Sequence, residues 1–294
     1  MSTILVLTIT GLGLGALYFL IASGLSLIYG LMGVLNFAHG AFFTAGAYAA
    51  WWFLQNLGFV PLGLGRVALA AVGALVVGTV MAALIELALI RPLYRRHIEQ
   101  VLVTLGVALA FTALVQGIWG ADAIPFPSLP WLGDATQVLG VTVPNSRFVA
   151  IVAAVLVLGL LTAFLRFTRY GLIIRAGVEN RDMVSALGID VQRSFTLVFA
   201  IGGLAGALAG VLGDLYFGSV DPGQGTALLI FAFIVVVIGG LGSIGGSAIA
   251  AVVVGLCQQF LNYYAAAESG DLAVVLLLAL VLLVRPRGLA GKAA

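Results

Sequence analysis

The stretch "VLNFAHGAFFTAGAY", residues 34–48, places an asparagine and a histidine three residues apart among apolar and small side chains. What surrounds it decides the fold. Residues 1–65 contain no Asp, Glu, Lys or Arg. Asn36 and His39 therefore lie inside an apolar tract long enough for two membrane spans of about 20 residues each. In a helix, their i,i+3 spacing would put both side chains on one face. Gly30, Gly33 and Gly40 bracket them and weaken a helix. At membrane depth, non-helical backbone survives only in protein or beside water. A break at residues 31–40 thus implies a lined cavity or a tight protein contact.

The pattern continues along the chain. Of 294 residues, 63% are hydrophobic and 8% charged, against about 25% charged in an ordinary soluble domain. Residues 67–85, 100–121, 148–165, 194–213 and 222–267 are also free of charge, and the last of these again fits two spans. The chain reads as an all-α integral membrane protein, a single transmembrane domain over residues 1–294. The beginning lacks the form of a cleaved signal peptide. No Lys or Arg precedes its apolar run, and residues 4–30 exceed a signal core of about 7–15 residues. With one cysteine, Cys257, no internal disulfide forms.

Eleven of the thirteen basic residues gather in three clusters, around Arg91, across residues 166–193, and from Arg285 to the end. The positive-inside rule makes these cytoplasmic. Asp122, Asp134, Asp214, Asp221, Glu268 and Asp271 mark segments outside. Spans at about 67–90, 100–119, 147–166 and 194–214 then alternate in direction. Residues 226–264 supply two more, joined at the glycine-rich "GGLGSIGG", and 271–285 a short last one. Two spans before Arg66 bring the total to nine, or eight if one segment only re-enters, with the N-terminus outside. Residues 120–146 hold four prolines, which exclude a long helix, and read as an ordered external cap.

Several chemistries are missing. The only lysine, Lys292, is followed by Ala293, so no G-x-x-x-x-G-K-[ST] phosphate loop exists. No set of His, Cys and carboxylate suggests a metal, and no Ser–His–Asp arrangement is visible. Glu86 lies one turn from Arg91 and reads as an interfacial partner of the arginine cluster. An ion-coupled carrier is disfavoured, because mid-membrane acidic relays are nearly absent.

The longest charged segment spans residues 166–195. Within it, Asn180 can cap a short helix, Asp182 falls in the first turn, and Gly188 provides a stop. Met183 and Leu187 are i,i+4 neighbours, with Val184 on the same side. Such a helix is too short to be stable alone and needs a partner surface. That surface is either the membrane and its own spans or a groove on a cytoplasmic motor protein.

"LNFAHGAF", "RPLYR", "RAGVENRDMVSALGIDVQR", "VVIGGLGSIGGSAIAAVVVG" and "LLVRPRGL" resemble, in order and spacing, the LivH-type permeases of branched-chain amino acid ABC transporters. The similarity runs from about residue 10 to 289. It implies a permease of an importer for branched-chain or related amino acids, powered by separate ABC ATPase subunits that use ATP and Mg. It also implies a second homologous permease, a periplasmic substrate-binding protein and a bacterial inner-membrane location, with lipid around the chain and no nucleic acid. In such permeases the segment matching residues 179–188 contacts the ATPase. The resemblance thus assigns coupling to Glu179, Asn180, Ala186 and Gly188, beside the apolar Met183 and Leu187. The commonest family form has Glu after "NFAHG", where this chain has Ala41. The rival from another class is a channel or facilitator for a small neutral solute such as urea or an amide.

The second glycine-rich break, residues 239–246, pairs with the first, and paired interruptions point to a pathway. Candidates for that pathway are Asn36, His39, Gly40, Gln116, Gly240 and Gly242. The alternative readings of Asn36 and His39 are interhelical hydrogen-bonding glue and a role at the cytoplasmic mouth.

Overall fold

The computed structural model describes residues 2–290 apart from 59, 62, 95, 128–130, 133, 139, 180–182 and 185–189. Among the described residues there are ten α-helices. They are α1 (Ser2–Met32), α2 (His39–Asn56), α3 (Leu64–Ile85), α4 (His97–Trp119), α5 (Asn145–Phe167), α6 (Arg169–Glu179), α7 (Val191–Phe217), α8 (Gln224–Gly239), α9 (Ile244–Tyr264) and α10 (Ser269–Val284). Six are long and apolar enough to cross a membrane: α1, α3, α4, α5, α7 and α9. The apolar α8 and α10 are shorter, at 16 residues each, and α2 has 18. This is an all-α membrane protein.

Both breaks fall where glycine clusters weaken the helix. The first occupies residues 33–38, with Gly33 at φ +67°. The second occupies residues 240–243, with Gly240 at φ +98° and Gly242 at φ +81°. The two breaks also touch. A Cβ added to Gly242 would lie 2.8 Å from the Gly30 Cα.

Small residues bring the helices together, because lipid supplies no hydrophobic force between them. On α1, Gly11 and Gly15 face Gly255 and Ala251 of α9; a Cβ on Gly15 would come within 2.5 Å of the Ala251 carbonyl oxygen. Helix α7 is the hub. Its Gly202 meets Gly24 and Ile28 of α1, Gly203 meets Gly78 and Ala82 of α3, and Gly210 meets Phe43 and Ala47 of α2. The pairs Gly78–Ala207 and Ala82–Gly203 make α3 antiparallel to α7. Since α2 and α3 form a hairpin, closed by Phe53 on Gly73, α2 and α7 run in the same direction.

The proline-bearing segment carries two small antiparallel sheets. β2 (Ala135–Val138) pairs with β3 (Val141–Pro144), and β1 (Ile124–Pro125) pairs with β4 (Ser219–Val220). The second pairing ties the segment after α4 to the one after α7, and so fixes the entry to α8.

At its end, α3 widens into a π turn over Glu86–Ile90, followed by a 3-10 turn over Arg91–Leu93. Glu86 is fully buried, and among the described residues it pairs with neither Arg91 nor Arg96. One carboxylate oxygen accepts from the Tyr94 hydroxyl, and the other accepts from the Thr196 hydroxyl at 2.6 Å. Arg91 instead donates through Nε to Gln192 Oε1 at 3.1 Å. The reason is burial: two hydroxyls satisfy the carboxylate where a guanidinium would have to be desolvated as well.

Candidate translocation site

The first break gathers polar side chains at the start of α2. Asn36 Oδ1 accepts from the Ala38 N–H at 3.1 Å, and its carbonyl accepts from the His39 N–H at 3.2 Å. This turn starts α2 without a helical predecessor. The Phe37 N–H donates to Thr104 Oγ1 of α4 at 3.3 Å. Backbone freed by the break is thus bound by its own asparagine and by a neighbouring helix, as apolar surroundings require. Asn36 Nδ2 has no partner among the described residues.

His39 is completely buried, and neither ring nitrogen has a hydrogen-bond partner among the described residues. Its ring lies against Gly24 of α1 and approaches Gly206 of α7. It also meets Phe42 edge-on, with centroids 5.6 Å apart. A Cβ on Gly24 would lie 2.7 Å from His39 Cε1, so the glycine makes room for the imidazole. Gly24 precedes the end of α1 by eight residues, about 12 Å of helix. The chain therefore doubles back along α1 before α2 begins. Gly40 packs on Gly225 at the start of α8, with backbone close enough that neither position admits a side chain.

Asn36 and Phe37 border an open cavity of about 270 Å³, lined also by Leu25, Leu105, Thr226 and Phe233 among others. It is apolar except for the asparagine and the threonine. The structure therefore gathers Asn36, His39 and Gly40 at one place. Gly242 sits farther along α1, against Gly30, and Gly240 lies against Gly288 in the same break. There the tail after α10 caps α8: Leu289 N–H donates to the Ile238 carbonyl at 2.8 Å, and Ala290 N–H to that of Gly239 at 3.1 Å. Orphan carbonyls at a helix end require such donors. Gln116 stands apart. It is exposed on α4, twelve residues beyond Thr104.

The family model described as "Branched-chain amino acid transport system / permease component" matches residues 7–285. The chain belongs to this family. The high-affinity branched-chain amino acid transport system permease protein LivH of Escherichia coli (strain K12) is 31% identical over 288 residues, covering 96% of this chain and 94% of that protein. BraD of Pseudomonas aeruginosa, of the same description, is 29% identical, covering 97% and 94%. A probable LivH of Methanocaldococcus jannaschii is 29% identical, covering 92% and 88%. No solved structure shows a significant match.

In this permease, the segment between α5 and α7 holds the residues assigned to coupling. Glu179 closes α6, while Asn180, Ala186, Leu187 and Gly188 lie outside the described residues. Met183 and Val184 are helical; Val184 is buried and Met183 is 62% exposed. Helix α6 itself is not anticipated from the sequence. Its signal is the apolar "GLII" against flanking arginines, and it packs on α1, α5 and α7. Sequence reasoning also misses Asp214. Standing at the edge of a charge-free run, it reads as the end of a span. In the fold it is fully buried within α7, with both carboxylate oxygens unpartnered among the described residues.

Proposed function

We propose that this chain is the membrane permease subunit of an ABC importer that moves branched-chain or related amino acids into the cytoplasm. The match of nearly the whole chain to a permease family, with relatives named for branched-chain amino acid transport, carries this reading. The chain hydrolyses nothing. Separate ATPase subunits consume ATP and Mg, a periplasmic protein delivers substrate, and a second homologous permease completes the pathway. Residues 166–193 grip the ATPase, and the pocket around Asn36, His39 and Gly40 forms part of the path. The missing phosphate-loop lysine supports reliance on a partner motor.

Reconstitution tests this. The chain alone in liposomes should give no rapid leucine flux. Leucine uptake should appear only with the ATPase subunits, the second permease, the binding protein and ATP. Rapid flux through the isolated chain would instead mark a channel for small neutral solutes.

We further place the bacterial inner membrane around these helices, with the N-terminus periplasmic and the C-terminus cytoplasmic. The three arginine-rich clusters support that orientation. In a Cys257→Ala background, a cysteine at position 134 should react with an impermeant maleimide from outside, and one at 166 only after permeabilisation. Both positions are exposed. The reverse pattern overturns the orientation.

A further inference from the structure

The end of α3 and the start of α7 are clasped at three points. The Thr196 hydroxyl donates to one Glu86 carboxylate oxygen at 2.6 Å, and the Tyr94 hydroxyl donates to the other. The Tyr94 ring meets Phe195 edge-on, with centroids 5.1 Å apart. Farther out, Arg91 Nε donates to Gln192 Oε1 at 3.1 Å. Gln192, Phe195 and Thr196 all lie in the first two turns of α7. That helix begins at Val191, directly after the segment assigned to the ATPase. A displacement of the segment therefore reaches these residues first. Opening the clasp would leave a buried acid without partners, so the two helix ends move as one body.

Both helices carry a weak point next to the clasp. In α3 it is the π turn over Glu86–Ile90, and in α7 the adjacent Gly202 and Gly203. The far end of the clasped piece is bonded to α4. There the buried Gln100 donates through Nε2 to the Leu93 carbonyl at 2.7 Å. One turn on, and on the same face, the Thr104 hydroxyl is also buried. It donates to the Val101 carbonyl at 3.0 Å and accepts from the Phe37 N–H of the first break at 3.3 Å. A continuous set of contacts thus runs from the start of α7, through residues 86–94 and α4, to the turn that holds Asn36.

We propose that residues 86–94 are a coupling lever. Engagement of the ATPase moves the start of α7, the clasped piece swings about the π turn, and Gln100 and Thr104 carry the movement to the first break. Contiguous packed side chains and hydrogen bonds carry coupling between sites in this manner. Glu86, Tyr94, Thr196, Gln100 and Thr104 are then positioning residues that touch neither substrate nor nucleotide. The inference rests on the importer reading above.

The test uses the assembled importer in liposomes and reads leucine taken up per ATP hydrolysed. Thr196→Val and Thr104→Val cut the route at its two ends. Each should lower that ratio about tenfold, a usual size for coupling between sites, while pull-down of the ATPase stays at the wild-type level. Thr196→Ser and Thr104→Ser keep the hydroxyl and should keep the ratio. A merely structural role would lower the melting temperature and leave the ratio unchanged. Assembled valine variants with the wild-type ratio overturn the lever. A second readout needs no substitution and serves where a valine variant fails to assemble. In the wild-type complex, hydrogen exchange over residues 33–39 should change about fivefold or more between the nucleotide-free state and one trapped with ATP, Mg and vanadate. Equal exchange in the two states also overturns the lever. Leucine uptake by the wild-type complex is the control: its absence counts against the importer reading, and its presence isolates the lever.

Discussion

Met183→Asp should leave the chain folded and inserted, weaken its hold on the ATPase subunit about thirtyfold or more, and abolish transport. That factor corresponds to about 2 kcal/mol, the usual loss on disrupting a central interface anchor. The contrast between adjacent residues makes the case. Val184 is 5% exposed and ties the segment to the protein; Met183 is 62% exposed on the same helical stretch. An exposed methionine between arginine-rich flanks suits an adaptable apolar contact. Val184→Ala should act differently, lowering the melting temperature through a loss of about 1–3 kcal/mol of packing. Pull-down of the ATPase and thermal melting separate the two. If Met183→Asp is inserted and binds the ATPase with wild-type affinity, the segment is an ordinary surface helix.

Gly246→Val should cause the largest loss of stability, while its neighbour Gly245→Ala should cause none. A Cβ on Gly246 would lie 2.0 Å from the Gly239 carbonyl oxygen. That atom belongs to the backbone, so only separation of α8 from α9 relieves the clash. Separation would also pull at the Ala290 N–H bond to the same oxygen and at the Ser243 cap of Gly246, 3.1 Å long. Overpacking alone costs about 1–3 kcal/mol; with both hydrogen bonds disturbed, the variant should not survive extraction as a monodisperse species. Gly245 has nothing within 4 Å of the equivalent position. There alanine should be neutral or stabilise by up to about 1 kcal/mol through helix propensity. Fluorescence-detected size exclusion and melting curves measure both. A Gly246→Val protein melting with the wild type would mean that the second break is not held by this contact.

Much of the site's framework is legible in the residues. The glycines at 30, 33 and 40 mark the first break, and the asparagine between them supplies the turn that starts α2. The "GGLGSIGG" run marks the second. What the breaks touch is not legible. Nothing local pairs Gly30 with Gly242, or Phe37 with Thr104. The motif "LLVRPRGL" gives no sign that its last residue, with Ala290 after it, caps α8. Glu86 is drawn by proximity to Arg91, yet Tyr94 and Thr196 satisfy it, and Thr196 is 110 residues away.

The sequence by itself determined that the chain lives in a membrane, where its helices run and where they break. Those properties are local: a charge-free run of sufficient length must be a helix in lipid, and clustered glycines interrupt it. Only the tertiary structure decided which polar groups lie buried and with what neighbours. Helix association in lipid depends on small residues fitting backbone to backbone, as Gly210 fits Phe43 and Ala47. That fit sets Asp214 beneath a turn of α2, and no spacing within the sequence encodes it.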